Sequence, residues 1–386
     1  IVRHPSYFFD ASPEHALINP ENLHVLLNHV KCAAFELPFQ DGERFGKTTV
    51  STDEMLQVLG EEGFVHAADG QWNWTHESYP ADAVSLRSVS SDNFVVIDTT
   101  RGERVIAETD FTSAPAMLHE KAIYIIEGQL FQVDRLDFDG RKAFVSAVDC
   151  DYYTDAITYT KVTILDTFAS SEAGGAMRED DAGISAHRES PIAPRSHGEV
   201  HVVSRVVGFK KIKFYTNENV GSGELDLPEQ QMHTSSYWLT IPADVMAALP
   251  FGGDDKRDGV IGLAFAMRHV AQLLLMCDRS DVGVSIDGGS LERSTRTGGR
   301  GGTPEALQAE PNIFIYDNYP GGIGFSRPLF EMHRLLLERT RELIASCPCD
   351  SGCPSCVGPE GNTGPHAKQV ASEILDRVLA CAVVPF

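Results

Sequence analysis

CPCDSGCPSC, residues 347–356, places four cysteines within ten positions of a chain that holds only eight. Thiolates are soft metal ligands, and four of them complete a tetrahedral shell around one ion. The pairs Cys347-x-Cys349 and Cys353-x-x-Cys356 are each spaced closely enough to chelate, and Gly352 allows a tight turn between them. Because a catalytic zinc keeps one coordination position open, four thiolates predict a structural site.

Alternative explanations of this loop stay open on the sequence alone. The chain opens with Ile1 and shows no charged-then-apolar leader, which favours a bound metal over disulfides. An iron–sulfur cluster also takes four cysteines, but the tight spacing favours zinc. Disulfides or idle thiols are the remaining explanation. The missing initial Met suggests that the chain is a fragment of a longer protein.

The composition is that of a globular protein with two or three domains. The 386 residues are 42% hydrophobic and 23% charged. A formal net charge of -23 favours solubility and opposes nonspecific attraction to DNA or acidic membranes. Any nucleic-acid contact must therefore depend on a local basic patch. No apolar run approaches the roughly 18 residues of a membrane helix, so we expect no membrane partner.

Residues 1–80 predict a winged-helix-like module. Helical spacing of leucine and valine predicts a helix over residues 20–38, with Asn19 as its cap. A second helix is expected from Thr52 to Glu62. Two short extended runs around Ala68-Asp69-Gly70 then predict a hairpin. Helices followed by a small hairpin are the order of a winged helix.

The remaining chain predicts an α+β multidomain protein. Alternating β-branched and aromatic segments predict a small β-barrel or sandwich in the β-rich module, residues 81–168. Residues 169–199 lack periodicity and predict a linker or long surface loop. Residues 200–386 mix strands with helices and predict an α/β zinc-binding domain, in which the cysteine loop lies between two helices.

Six stretches, taken in order, resemble the C-terminal half of the MrfA-type superfamily 2 DEAD/DEAH-box DNA helicases. They are INPENLHVLLNHVKCAAFELPF, AIYIIEGQLFQVDRLD, VDCDYYTD, VVGFKKIKF, IYDNYPGGIGFS and CPCDSGCPSCV. The resemblance covers nearly the whole chain and is most specific in YDNYPGGIGFS and the cysteine loop. In that family two motor lobes precede a winged-helix-like region and a four-cysteine zinc-binding domain, and the motor unwinds DNA in the 3′ to 5′ direction with ATP in DNA repair. The resemblance implies a structural Zn²⁺ held by Cys347, Cys349, Cys353 and Cys356.

The motifs of a motor are missing from this sequence. A motor needs a GxxxxGK[ST] loop for phosphates and an acidic box for magnesium. GERFGKT, residues 42–48, is one residue short and follows a probable helix, so it is predicted to be a loop. ATP and Mg²⁺ are therefore expected only in motor lobes outside this chain. The chain by itself is expected to show no ATPase activity.

Two basic segments are candidate DNA contacts. In the first, cations are interleaved with Phe209, Phe214 and Tyr215, so that rings could stack on unpaired bases while the cations meet phosphates. Strand alternation equally allows core aromatics beside solvated lysines. The second segment is a glycine-rich loop, which also fits a plain surface loop. The candidate residues are Arg205, Lys210, Lys211, Lys213, Arg293, Arg296 and Arg300.

Other singled-out residues favour structural roles. Pro320-Gly321-Gly322 could present amides to an anion, but a tight turn is the preferred interpretation. Asp317 could act in a hydrolase, or serve as a cap or hydrogen-bond acceptor. Trp72 and Trp74 in the wing could wedge into a DNA duplex, but a place in the core is the preferred interpretation. No Ser/His/Asp set or HExxH motif gives a positive case for independent catalysis.

The sequence therefore predicts a non-motor, zinc-stabilised accessory region of an ATP-dependent 3′–5′ DNA helicase, which binds or guides DNA and organises the motor lobes. The expected partners are single-stranded or 3′-tailed DNA, the motor lobes of the same polypeptide and repair proteins. The expected location is the cytoplasm, in association with a bacterial nucleoid. The alternatives are an acidic protein-interaction scaffold without DNA contact and a metal-dependent nuclease.

Overall fold

The computed structural model describes residues 5–10, 19, 22–84, 93–171, 194–216, 218–287, 309–359 and 363–380. The chain forms two compact units. The α/β unit comprises Ile1–Asn19, Val162–His201 and His233–Phe386, and the winged-helix unit comprises Pro20–Lys161 and Val202–Met232. A mixture of helices with several sheets confirms the predicted α+β multidomain class.

The winged-helix unit begins with two helices and a small three-stranded sheet. The elements, after a short helix α1 (Pro5–Phe9) of the other unit, are α2 (Leu23–Glu36), β1 (Phe39–Gln40), α3 (Thr52–Glu61), β2 (Val65–Ala68) and β3 (Gln71–Trp74). Helix α2 begins later than the predicted residue 20, because its cap is Asn22 rather than Asn19. The Asn22 side chain accepts a hydrogen bond from the His24 amide at 3.0 Å. The predicted hairpin is confirmed, and Asp69 and Gly70 both have positive φ at its turn.

The core of this module contains the predicted apolar faces of both helices. Val30 of α2 and Leu56 and Leu59 of α3 are almost completely buried. Trp72 and Trp74 are half-buried and pack against this cluster, as expected for core residues. A 3-10 turn, Pro80–Ala83, follows the module.

The β-rich module is one five-stranded sheet. Its elements are β4 (Asn93–Asp98), β5 (Arg104–Asp110), α4 (Ala114–Met117), β6 (Ile123–Ile126), β7 (Gln129–Asp137) and β8 (Lys142–Ala147). The strand order is β5-β4-β8-β7-β6, and β4 pairs with β8 in parallel. Phe94, Val133 and Val145 lie at the centre of its core.

A six-stranded sheet runs through the second half of the chain. Its strands are β9 (Tyr152–Ser171), β10 (Arg195–Lys213), β11 (Asn219–Glu224), β12 (Gln230–Thr240), β13 (Val282–Ile286) and β14 (Asn312–Asp317). The order is β11-β10-β12-β14-β13, with β9 also paired to β10. The described ends of the predicted linker are strand residues 169–171 and 195–199. A Cβ on Gly198 would lie 2.0 Å from the Asp166 carbonyl oxygen, so the close approach of these strands requires glycine.

A helical layer completes the α/β unit. It consists of α5 (Ala243–Ala248), α6 (Gly253–Leu275), α7 (Ser326–Glu331), α8 (His333–Ser346) and α9 (Ala367–Ala380). The core joins apolar residues of β12, β13 and β14 to α6, α8 and α9. The expectation that no stretch reaches membrane-spanning length is wrong, because α6 passes that test by length and composition. Its apolar window is 67% buried inside the protein, which is the burial of a core helix.

Candidate metal centre

The cysteine loop lies between α8 and α9, as the sequence predicts. Cys347 follows the last residue of α8 directly, and the fourth cysteine, Cys356, is buried. The Sγ–Sγ distances are 3.5 Å for Cys347 to Cys349, 3.5 Å for Cys347 to Cys353, 3.4 Å for Cys349 to Cys356 and 3.7 Å for Cys353 to Cys356. All four sulfur atoms lie within 4.8 Å of one another.

These distances fit four ligands of one ion. A zinc–sulfur bond of about 2.3 Å gives a tetrahedron with edges of about 3.8 Å. A disulfide would bring two sulfur atoms to about 2.0 Å, and the four cysteines are free. A [4Fe–4S] cluster binds each thiolate to a different iron atom, and a [2Fe–2S] cluster divides the four between two iron atoms, so either cluster needs some sulfur atoms farther apart than these. The donor set and its spacing therefore suit a single soft, tetrahedral ion.

The loop backbone is folded tightly around the sulfur atoms. The amides of Cys356 and Gly358 both donate to the Cys353 carbonyl at 3.0 Å. A Cβ on Gly352, which has a φ of 154°, would lie 2.7 Å from the Gly358 carbonyl oxygen, so this crossing requires glycine. The predicted turn at Gly352 is therefore part of what brings the two cysteine pairs together.

Hydrogen bonding and burial shift the pKa values of Cys347 and Cys356 in opposite directions. The Cys349 amide and the Cys353 thiol, which donate to its sulfur, lower the pKa of Cys347 to about 7. Burial raises the pKa of Cys356 to about 12. Metal binding must displace the remaining thiol protons, so occupancy of this site is linked to pH.

The role of Asp317, which the sequence left undecided, is that of a hydrogen-bond acceptor for the turn that follows it. The Asp317 Oδ2 accepts from the amides of Ile323 at 2.7 Å, Gly324 at 2.8 Å and Phe325 at 3.2 Å. It also accepts from the Ser235 hydroxyl at 3.1 Å. Burial raises the pKa of Asp317, and these donors oppose that rise. The amides of Gly321 and Gly322 donate to the carbonyls of His233 at 2.7 Å and Tyr319 at 3.0 Å, so they are not presented to an external phosphate.

The first predicted basic segment has partners within the protein. Arg205 pairs with Asp226, Lys213 lies 3.5 Å from Asp151, and the Lys211 Nζ lies 3.3 Å from the Tyr152 hydroxyl. Phe209 is buried and stacks on His119, whereas Tyr215 is exposed at the hairpin tip. Strand alternation thus divides the segment between core and surface. The second predicted segment, with Arg293, Arg296 and Arg300, lies outside the described residues.

Two further observations complete the survey of the sequence motifs. Residues 42–48, GERFGKT, form the predicted loop, and the Gly42 amide donates to Asp53 rather than facing a phosphate site.

Sequence reasoning missed the buried pair Tyr237 and His333, whose Oη and Nδ1 lie 2.7 Å apart. Burial lowers the pKa of His333 to about 3. These two residues are 96 positions apart, and no motif connects them.

Comparison with known proteins agrees with this geometry. Residues 263–357 match the family described as the MrfA Zn-binding domain, and residues 18–89 match the winged helix domain of the ATP-dependent helicase HRQ1. The chain is 39% identical to the ATP-dependent helicase YprA of Bacillus subtilis over 98% of its own length and 46% of that protein. It is 24% identical to HRQ1 of Saccharomyces cerevisiae over 92% of its own length and 31% of that protein.

Solved structures agree as well. The crystal structure of the DUF1998 helicase MrfA is 32% identical and superposes with a TM-score of 0.61, covering 98% of this chain and 47% of that one. The structure of MrfA bound to DNA is 38% identical, with a TM-score of 0.50 and coverage of 98% and 46%. The chain thus spans less than half the length of the relatives it matches.

Proposed function

From the premise that this chain is homologous to the C-terminal region of the MrfA and YprA helicases, we propose that it is the zinc-stabilised accessory region of an ATP-dependent 3′–5′ DNA helicase that acts in DNA repair. Its role is to bind or guide DNA and to hold the motor lobes in register, in the cytoplasm at the nucleoid. The proposed domains are residues 1–80, 81–168 and 200–386, with 169–199 between them.

The observation that carries the proposal is the four-sulfur cluster within the segment that matches an MrfA Zn-binding domain. Cys347, Cys349, Cys353 and Cys356 are the proposed ligands. Structural zinc binding is worth about 10–16 kcal/mol in small peptides, enough to fix α8 against α9. Bound zinc would act there as a crosslink without an open coordination position for catalysis.

DNA is the proposed partner because one of the similar solved structures is MrfA bound to DNA. The proposed contacts are the predicted cations, Lys210, Lys211 and Lys213 with Arg205 and the three arginines of the glycine-rich loop. Two of these β10 cations, Arg205 and Lys213, have acidic partners, so we expect weaker phosphate attraction than in a basic DNA-binding domain.

The direct test combines metal analysis with DNA binding. We expect one zinc per chain in protein purified without chelator, and binding to 3′-tailed DNA that weakens steeply as salt rises. A Lys210/Lys211/Lys213 triple alanine variant should bind less tightly and with a smaller salt dependence. Substoichiometric zinc in folded protein refutes the metal site, and a well-folded chain that binds no DNA at low salt refutes the DNA contact.

The acidic scaffold is the second candidate, favoured by charge. The net charge is -23, and the exposed face of α3 carries Asp53, Glu54 and Glu61 without a cation. In a winged helix that reads DNA, the corresponding helix enters the major groove, where carboxylates repel phosphates. A chain that binds a protein partner but no DNA would support this candidate. The nuclease alternative loses its main support, because the donors around Asp317 belong to its own turn.

A further inference from the structure

We infer that the tip of the β10–β11 hairpin, centred on Tyr215, is a stacking platform for the bases of single-stranded nucleic acid. This inference rests on the proposed DNA-binding function and assigns it a specific contact. The tip is defined by Phe214, Tyr215 and Thr216, which follow the last residue of β10 and belong to the winged-helix unit.

The backbone of the tip presents an aromatic side chain in an unfavourable conformation. The Thr216 amide donates to the Phe214 carbonyl at 2.8 Å, and the residue between them, Tyr215, has a φ of 67°. This combination is the rare, strained form of γ-turn. Positive φ favours glycine or asparagine, and a bulky residue there is an outlier. Backbone outliers of this kind are concentrated at functional sites, so the strain at Tyr215 favours a functional role for its ring.

The ring of Tyr215 is also left in water. Its relative exposure is 101%, the highest among the large apolar side chains exposed on the described part of the chain. An aromatic ring in a monomeric domain normally covers part of its own surface. Neither the strained backbone nor the full exposure of Tyr215 stabilises the fold. Both are expected if the Tyr215 ring binds a ligand.

A row of aromatic rings extends behind Tyr215. Its ring centroid lies 6.4 Å from that of Phe214, which in turn lies 5.6 Å from that of Tyr153. The Phe214 amide donates to the Asp151 carbonyl at 2.9 Å and so fixes the tip to the start of β9. Bases can add to such a row because every base has an aromatic face, whatever its sequence.

The charges beside the tip favour a single strand over a duplex. Lys210, Lys211 and Lys213 approach the tip along β10, and the Lys211 Nζ lies 4.8 Å from the centre of the Tyr152 ring. Asp151, 3.5 Å from Lys213, and the exposed Glu218 offset part of that charge. Attraction to phosphate is therefore moderate, and stacking must supply much of the affinity. Only unpaired bases expose the faces that stacking requires.

The central experiment measures binding of fluorescein-labelled oligo-dT to the 386-residue chain and its variants by anisotropy. Tyr215→Ala should weaken binding about 5- to 150-fold, the effect of losing one stacked base. Tyr215→Phe should keep the affinity, since the ring remains. The salt dependence should change little in either variant, because no phosphate contact is removed.

A tryptophan reporter tests stacking directly. In Tyr215→Trp, oligo-dT should quench the new tryptophan emission, and a blunt duplex of the same length should not. Tyr159→Trp, on a half-exposed residue of β9, is the matched control and should show no quenching. Tyr215→Gly should raise the melting temperature by relieving the positive φ, while it weakens binding as Tyr215→Ala does.

The outcomes separate this inference from the proposed function. If the unmodified chain binds oligo-dT and Tyr215→Ala binds equally well, the platform is refuted while DNA binding stands. If the folded chain binds no oligonucleotide at all, both are refuted. Equal quenching of Tyr159→Trp and Tyr215→Trp would also contradict a platform at the tip.

Discussion

Lys368 is a lysine whose side chain is directed at the cysteine loop. Its Nζ donates to the Cys347 carbonyl at 2.7 Å and also to the Cys349 carbonyl, and its own amide donates to the Ser351 carbonyl at 3.2 Å. Four thiolates outnumber the charges of a zinc ion, so the occupied site is anionic. Lys368 thus both fixes the loop backbone and offsets the charge of the site.

We expect Lys368→Met to lower zinc affinity about 10- to 100-fold, the usual effect of removing an outer-sphere partner. Lys368→Arg keeps the charge and a donor and should lose less. Competition with a colorimetric chelator measures the affinity of all three proteins. Equal zinc affinity in the methionine variant and the unmodified chain would show that Lys368 does not support the site.

Asp317→Ala should destabilise the α/β unit by roughly 3 kcal/mol or more, because it leaves several buried donors without an acceptor. The donors are the amides of Ile323, Gly324 and Phe325 with the Ser235 hydroxyl. Urea unfolding measures the loss. Asp376→Ala, an exposed carboxylate on α9, is the control and should cost little. A small loss for Asp317→Ala would show that the turn holds its shape without the carboxylate.

His333 predicts a pH dependence of stability. Its pKa is about 3 in the folded chain, against an ordinary value of 6.5, so the unfolded chain binds the extra proton between those values. Stability is therefore lost as pH falls below about 6.5, by about 2 kcal/mol between pH 7.5 and pH 5. Denaturant titrations at the two pH values should show this loss in the unmodified chain and a smaller one in His333→Phe. Any release of zinc at low pH should lower the stability of both proteins equally. An identical loss of stability in the two proteins would therefore show that His333 is not the source of the pH dependence.

Two glycines set how closely the helices of the α/β unit approach. A Cβ on Gly259 of α6 would lie 2.2 Å from Val370 Cγ1 of α9, and one on Gly262 would lie 3.0 Å from Val357 Cβ, beside the last cysteine. Helix α6 therefore fits directly against both α9 and the end of the cysteine loop. A zinc ion bound by the four cysteines, as proposed, would therefore crosslink a packed layer of helices rather than a separate loop.

Gly259→Ala should destabilise the chain by about 1–3 kcal/mol through overpacking, despite a helix-propensity gain of about 1 kcal/mol. Gly253→Ala, at the start of the same helix, places its Cβ in open space and should be neutral or stabilising. Thermal unfolding compares the two variants. Val370→Ala in the Gly259→Ala background should restore part of the loss, and no restoration would place the clash elsewhere.

The described part of the chain contains three apolar cores, and the proposed zinc would crosslink elements of one of them. The α/β unit contains the cysteine cluster, whereas the winged-helix unit contains the clusters around Leu56 and Phe94. Both units belong to a strongly acidic chain, so electrostatic attraction to DNA is confined to local cations. Zinc should therefore matter to one unit more than to the other.

Chelation of zinc should expose α8 and α9 to hydrogen exchange while the sheets of the winged-helix unit stay protected. The reason is that the crosslink joins the two ends of the cysteine loop between those helices, and the other unit has its own cores. Mass spectrometry of exchanged peptides before and after chelation measures this. Cys353→Ser should reproduce the chelated pattern without chelator. A uniform rise of exchange in both units would contradict separate stabilisation.

The local features of this protein could be predicted from its amino-acid sequence. The four-cysteine loop, the helices that flank it, the wing hairpin and the loop at residues 42–48 follow from ligand spacing, periodicity and turn chemistry, which act over a few neighbouring residues. The sequence pattern was less accurate at the start of α2, which begins at Leu23 because Asn22 and not Asn19 caps it.

Contacts between residues far apart in the chain could be identified only in the folded structure. It placed Ser235 beside Asp317, Lys368 beside Cys347, and Phe209 on His119 while Tyr215 stayed in water. The alternation of apolar and polar residues predicts which side chains share a face of a strand. It does not predict which face packs against a core or which donor hydrogen-bonds to a given acceptor. Those outcomes depend on packing between distant segments, for which a single sequence carries no local signal.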